Sequence, residues 1–179
     1  MKIKEQIERL AEKAFADHVI TTDLENGLFR HYRCAKPGTG IYAFNITTIP
    51  GRLIVTGDVG TLVVERLNDM FEWAPSAVES IDYFAEKVPN NIIVKAYDPD
   101  TANEFLAEEQ TAEGTESDRA RIAAELEEYT FCEHTFQSEL YSSGLVDGRD
   151  FPNLRQWTPA FLWCREAVRW FFRNREANQ

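Results

Sequence analysis

Arg52–Asp69 reads RLIVTGDVGTLVVERLND, and within it two β-branched runs, Leu53–Thr56 and Thr61–Val64, are divided by Gly57-Asp58-Val59-Gly60. Such residues suit a pleated, half-buried surface, and a glycine-flanked gap this short joins neighbouring strands as a hairpin. In that turn the glycines are expected at positive φ, with Asp58 bonding its own backbone. The turn superficially resembles a phosphate loop, but the GxxxxGKS/T and GxGxxG spacings are absent and no long helix clearly follows.

Working outward from the hairpin, Leu28–Cys34 mixes aromatic and basic residues in rough alternation, and Ile41–Thr47 alternates aromatic and β-branched ones. Both read as strands. Asn26-Gly27, Pro37–Gly40 and Ile49-Pro50-Gly51 supply turns. Connections this short impose antiparallel neighbours, because a parallel crossover takes about a dozen residues or more. The expectation for 28–66 is a four-stranded antiparallel meander. Before it, Lys2–Phe15 carries a helical apolar stripe, and Asp17–Asn26 breaks that pattern.

Beyond the hairpin the pattern turns helical. Leu67–Trp73 reads as a turn or two of helix capped by Asn68 or Asp69, and Ser76 with Glu79 sets a capping box for a helix reaching Val88. Ile92–Tyr97 is either a fifth strand or more helix, since so short an apolar run has no decisive period. Asp98-Pro99-Asp100 opens a helix over Thr101–Glu109, with proline at or near its first position. Glu108–Asp118 reads as an exposed loop. A helix then runs from Ser117 or Asp118 to Glu128, with Tyr129–Leu140 continuing it or forming another. Thr158 caps a last helix that begins at Pro159 and ends near Arg175. The fold class is α+β: a small antiparallel sheet of four to five strands in the N-terminal half, packed with helices, and a mostly helical C-terminal half. We read one domain over 1–179, with a sheet-containing part, 1–97, and an acidic, aromatic helical part, 98–179.

With 179 residues, 44% of them hydrophobic and 12% aromatic, the chain can bury a substantial core. No apolar run is long enough to span a bilayer, and the charged N-terminal stretch lacks the apolar centre of a secretory signal. A soluble protein of the cytoplasm is expected. A net charge of −11 disfavours nonspecific nucleic-acid binding and favours basic partners. Cys34, Cys132 and Cys164 are scattered and odd in number, so reduced packing residues are expected, not a disulfide framework. His31-x-x-Cys34 and Cys132-x-His134 are ligand-like pairs, but their spacing is not that of a zinc finger, and no metal or cofactor is assigned.

Arg30, His31, Arg33 and Lys36 form one basic run in an acidic chain. Strand alternation puts Arg30 and Tyr32 on one face and His31 and Arg33 on the other. With Tyr42 and Phe44 on the next strand this run is a candidate platform for anions or nucleotides, against the plainer reading of an exposed face paired with acidic helices. His31 and Asp58 have the chemistry of an acid/base pair, but nothing in the sequence brings them together. Carboxylates dominate Asp98–Glu133, with Glu104, Glu108, Glu109, Glu113, Glu116, Asp118, Glu125 and Glu128 the candidate partner-binding set; only Arg119 and Arg121 oppose them. The spacing does not fit an EF-hand. The run is either a solvated helical face or a docking surface for a basic, nucleic-acid-binding partner. Arg165, Arg169 and Arg173 recur every four residues on the last helix. The plain reading pairs them with the acidic segment, and the aromatics around them make self-association into a homodimer a second reading. No Ser-His-Asp, Cys-His or HExxH arrangement is present, so covalent and zinc hydrolysis have no sequence support.

The run from Tyr32 to Lys87 resembles a group of small proteins of bacteriophages and prophages. The resemblance rests on Pro50, Gly51, Leu53, Val55, Gly57, Asp58, Gly60, Thr61, Arg66, Asp69, Met70, Phe71, Tyr83, Ala85, Glu86 and Lys87. Where that pattern has Tyr-Trp before Ala-Glu-Lys, this chain has Tyr83-Phe84. About a third of the chain is covered, and no reaction comes with it. The resemblance implies an accessory phage product acting inside an infected bacterium. Taken with the acidic surface, which could occupy a nucleic-acid groove, the expectation is a non-enzymatic protein that counters a host defence system by binding a defence protein, as an anti-CRISPR or anti-restriction inhibitor does. The alternative is a nucleotide- or nucleic-acid-processing protein that uses the 30–36 strand.

Overall fold

The computed structural model describes residues 2–111, 117–148 and 150–175. The chain falls into two compact units: Met1–Val94 with Trp157–Gln179, and Lys95–Gln156. The last helix therefore belongs with the N-terminal sheet, not with the acidic helices that precede it in sequence.

The first unit is built on a five-stranded antiparallel meander, β1 (Val19–Asn26), β2 (Phe29–Ala35), β3 (Phe44–Ile49), β4 (Arg52–Gly57) and β5 (Leu62–Glu65), in that spatial order. The expected four strands are there with one more at the edge. Alternation sorts the side chains: Tyr32, Cys34, Phe44, Ile46, Leu53, Val55, Leu62 and Val64 are buried on one face. Register ties the rows together, with Tyr32 opposite Ile46 and Ile46 opposite Val55. Helices α1 (Ile3–Ala14) and α7 (Pro159–Arg175) pack on each other and supply Ile7, Ala11, Phe161, Leu162, Val168 and Phe171 to the same core. Each large apolar side chain removed from water there contributes roughly 1.5–3 kcal/mol. Phe15, just past α1, sits 5.1 Å from Phe44 and 5.9 Å from Trp163, ring centre to ring centre.

The strand expected over Ile41–Thr47 starts only at Phe44. Tyr42, at φ 55°, is the one non-glycine residue with positive φ among those described. It is held there from both sides: its N–H donates to Asp58 Oδ2 at 2.7 Å, and its carbonyl lies 3.1 Å from His18 Nε2. Asp58 thus caps the neighbouring turn instead of bonding its own backbone. Gly57 and Gly60 do take positive φ, 128° and 117°. At Gly57 a Cβ would overlap the Ala43 carbonyl and lie 2.8 Å from Phe44 Cα, so the hairpin closes only over a bare backbone.

The helix expected from Ser76 to Val88 is two short ones, α2 (Ala74–Ala77) and α3 (Ile81–Ala85). Ser80, at φ −95° and ψ 103°, breaks the run, and Ser76 Oγ donates to the Trp73 carbonyl instead of forming the capping box. Asp69 is the cap of the preceding 3₁₀ turn, accepting from Phe71 N–H at 2.9 Å.

The second unit has its own core, in which Ala102, Leu106, Ala123, Leu126, Phe136 and Leu140 are buried together. They come from α4 (Pro99–Thr111), α5 (Ser117–Leu126) and α6 (Glu133–Ser142). Asp98 caps α4, accepting from Thr101 N–H at 3.0 Å and from its hydroxyl at 2.6 Å, with Pro99 at the first helical position as expected. Ile92–Tyr97 yields only a short strand, β6 (Lys95–Tyr97), paired with β7 (Arg155–Trp157) in a ribbon separate from the meander. The molecule is α+β, and no helix among the described residues is long and apolar enough to cross a membrane.

Candidate functional site

Charge is divided unevenly between the two units. Lys95–Gln156 contains fifteen acidic and five basic residues, a net charge of −10, whereas the remaining fifteen acidic and fourteen basic residues leave the sheet unit at −1. Almost all of the formal charge of −11 therefore lies on the helical unit. The cause is local: α4–α6 bury one stripe of small and apolar residues and devote their other faces to glutamate.

On that unit Glu104, Glu108, Asp118, Glu125 and Glu128 are exposed. Glu109 is half-buried and taken by Arg119 at 2.7 Å, and Arg121 holds Glu125 at 2.6 Å and approaches Asp118 at 3.9 Å. No cation is paired with Glu104, Glu108 or Glu128 among the described residues. Glu113 and Glu116, of the same candidate set, lie outside the described residues. Between α5 and α6 runs a groove of about 450 Å³ rimmed by Glu125, Glu128 and Glu139, with Ile122, Leu126 and Tyr129 lining it. The negative field there is felt by Tyr129, whose phenol is pushed up first by its hydrogen bond to Glu128, with Glu139 and Glu125 adding to it. Such a surface can hold cationic side chains, and its apolar groove can seat an aliphatic or aromatic one between them.

The basic strand does not assemble the platform that its composition suggested. Alternation is as expected, but Arg30 faces inward and is gripped by Asp69, with Nη1 to Oδ1 at 2.7 Å and Nη2 to Oδ2 at 2.9 Å. Phe44 is fully buried, and Tyr42 stacks on Trp163 at 5.0 Å. His31 lies on the opposite face, its Nδ1 2.7 Å from Thr47 Oγ1 and its Nε2 3.7 Å from Asp23 Oδ2, while Asp58 is occupied by Tyr42. Arg33 is exposed on that same face as His31, and Lys36 pairs with Asp17 at 2.8 Å. Arg30, His31, Arg33 and Asp58 thus form no common site.

The arginines of α7 find their partners within the sheet unit, not in the acidic segment. Arg165 is buried, donating from Nε to the Val78 carbonyl at 2.9 Å and from Nη1 to Glu166 at 2.8 Å. Arg169 bridges Glu166 and Glu79, and Arg173 reaches Glu79 at 2.9 Å. Burial pushes the Glu166 carboxyl up. Burial acts the same way on Glu79, but Arg169 and Arg173 outweigh it and hold that group below the usual carboxylate range. A groove of about 680 Å³ runs along α1 and α7 past this ladder, with Glu5, Arg9 and Glu12 on its rim and Phe15 and Trp170 in its floor. The helix's aromatics are also spent internally, Trp170 on Phe15 and Phe44, Phe172 on Phe71 and Phe171.

His31 and Cys34, three apart on one strand, point to opposite faces, which removes them as a ligand pair. Among the described residues no group of three or more His, Cys, Asp or Glu side chains is placed to hold a metal ion. No protein-family model matches the chain, and no curated protein or solved structure matches it either.

Proposed function

We propose that this chain is a binding protein, not an enzyme, whose helical unit occupies a basic surface that would otherwise hold nucleic acid. The reading rests on one observation: a net −10 confined to residues 95–156, on helices whose Glu104, Glu108 and Glu128 have no cationic partner among the described residues. A folded unit that merely needed solubility would gain little from such segregation, since like charges repel within it. Opposite a basic groove the same charges speed encounter and disfavour wrong partners. Joined to the phage-like Tyr32–Lys87 pattern, this gives the concrete form of the proposal: a phage or prophage accessory protein, working in the bacterial host cell, that inhibits a CRISPR or restriction complex by displacing its nucleic acid.

The test uses the intact chain expressed in bacteria that carry one defence system each, challenged with a sensitive phage. Inhibition is expected to raise plaque counts, and the purified complex should bind the protein with an affinity that falls steeply as salt rises. Glu104→Lys, Glu108→Lys, Glu125→Lys and Glu128→Lys combined should abolish both effects while leaving the circular dichroism spectrum unchanged. Retained inhibition in that variant would discard the mimicry.

A further inference from the structure

Strand alternation gives the meander a second face, turned away from α1 and α7. Register carries one row of side chains across all five strands of that face: Leu24 opposite His31, His31 opposite Thr47, Thr47 opposite Ile54 and Ile54 opposite Val63. A polar row, Thr21, Arg33, Asn45 and Thr56, runs beside it. An antiparallel sheet with one face in water ordinarily keeps that face polar. Here Val19 and Leu24 are 49% exposed and Phe29 50%, and Ile54 and Val63 are part-exposed. None of these five joins either buried core among the described residues.

The face is also electrically balanced, in a chain of net charge −11. Arg33 and Arg52 stand on it against Asp23 and Glu65, with Arg52 on Glu65 at 2.7 Å and Asp23 Oδ2 3.7 Å from His31 Nε2. A basic partner gains no attraction there, and a nucleic acid meets one arginine, Arg33, that has no carboxylate partner among the described residues. A second copy brings the same balance, and about a two-fold axis each apolar row meets its counterpart. We propose that this open sheet face joins two copies of the chain, face to face, in a two-fold dimer. Sheets packed in that way interdigitate their side chains about 10 Å apart. Five strands about 4.8 Å apart and six residues of about 3.3 Å each make a patch of about 20 by 20 Å on each copy. That is close to the smallest area that sustains a specific interface, so the dimer is weak, with a Kd on the order of 10 µM. Pairing along the outer edge of β1 is disfavoured by the register irregularity between Thr22 and Leu24. The dimer does not depend on what the acidic helices bind. Its salt response is also the opposite of theirs: each copy carries −11, so screening the mutual repulsion strengthens pairing.

The experiment is sedimentation equilibrium of the intact chain, from about 1 to about 200 µM so as to bracket that Kd. The mass is expected to rise from 20.6 kDa toward twice that value, and further at about 0.5 M than at about 0.1 M sodium chloride. L24E/F29E should stay monomeric throughout. I54T/V63T, which keeps both positions β-branched, should weaken association about tenfold or more, and it carries the test if L24E/F29E does not fold. L10E, at a leucine 45% exposed on α1, should dimerise as the parent does. Unchanged circular dichroism shows that each variant is folded. A chain that stays at 20.6 kDa at every concentration overturns the proposal and leaves the face to a foreign partner. So does a dimer that survives both face variants, since it joins the copies elsewhere, or one that dissociates as salt rises.

Discussion

Arg30 and Asp69 lie 39 residues apart in sequence, yet meet as a fork on a fork, with their two hydrogen bonds at 2.7 and 2.9 Å. Asp69 caps the 3₁₀ turn at Phe71, and the Arg30 guanidinium lies 4.4 Å from the centre of the Phe71 ring, so one pair ties the second strand to the chain after the fifth. The Arg30 hydrogen bond holds the Asp69 carboxyl below its usual range, with the Phe71 N–H helping. A depressed carboxyl contributes stability above its unfolded pKa, near 3.9, and loses it as pH falls through the lower folded value. Asp69→Asn should therefore lower the urea midpoint at pH 7, by about 1–3 kcal/mol of stability, with the gap to wild type closing in acid. A gap independent of pH would refute the assignment.

Glycine at 57 is demanded by its neighbours as well as by its φ. Gly57→Ala should cost about 3 kcal/mol or more, because the strain of positive φ is joined by overlap with Ala43. Gly40→Ala, where nothing lies within 4 Å of the added carbon, should be close to neutral. Equal chemical denaturation midpoints for the two variants would show that the hairpin can open to make room.

Two arginines on one helix should behave very differently. Arg165→Ala strips the Val78 and Glu79 carbonyls and half of Glu166's pairing in a site where the arginine side chain is 3% exposed. It should cost about 3–5 kcal/mol, as removing one member of a buried pair does. Arg173, 59% exposed, shares Glu79 with Arg169, and Arg173→Ala should cost under about 1 kcal/mol. Calorimetric melting separates the two cases directly.

The three thiols should report their surroundings. Cys34 and Cys164 are fully buried, and burial pushes both up to about 12. Cys132, partly exposed ahead of α6, is lowered, chiefly by hydrogen bonds from Thr135. Brief treatment with iodoacetamide near neutral pH should modify Cys132 alone, as read by peptide mass spectrometry, with the other two reacting only after denaturation. Early labelling of Cys34 would mean that the sheet core opens readily.

Much of this fold is legible in residue order. The β4–β5 hairpin, the proline-opened helices at 99 and 159 and the parity of Arg30 with Tyr32 all follow from short-range sterics and alternation. β1 does not, because VITTDLEN lies at the sheet edge, is mostly exposed and carries an irregularity between Thr22 and Leu24. With neither face consistently buried it has no period to detect. Tyr42 was hidden for another reason: its residue type belongs in a strand, and only Asp58 and His18 hold it out of one. The charge partners were the least legible. Sequence proximity and sign suggested Asp98–Glu133 for the α7 arginines, but Glu8, Glu79 and Glu166 reach them through the tertiary fold.

Thr158 N–H donates to the Val94 carbonyl at 2.9 Å, so the sheet unit closes on itself at the point where the chain leaves it and comes back. The sixty-two residues between these points form a detour whose two ends share one doorway. Closing a loop costs free energy only logarithmically in its length, so a longer or shorter detour weighs little on the scaffold. In genetic terms, a pair of exchanges at the two ends of that stretch can replace the acidic helices as a cassette, leaving the strands and the arginine ladder untouched. The part proposed to meet a changing adversary is thus the part that can change fastest.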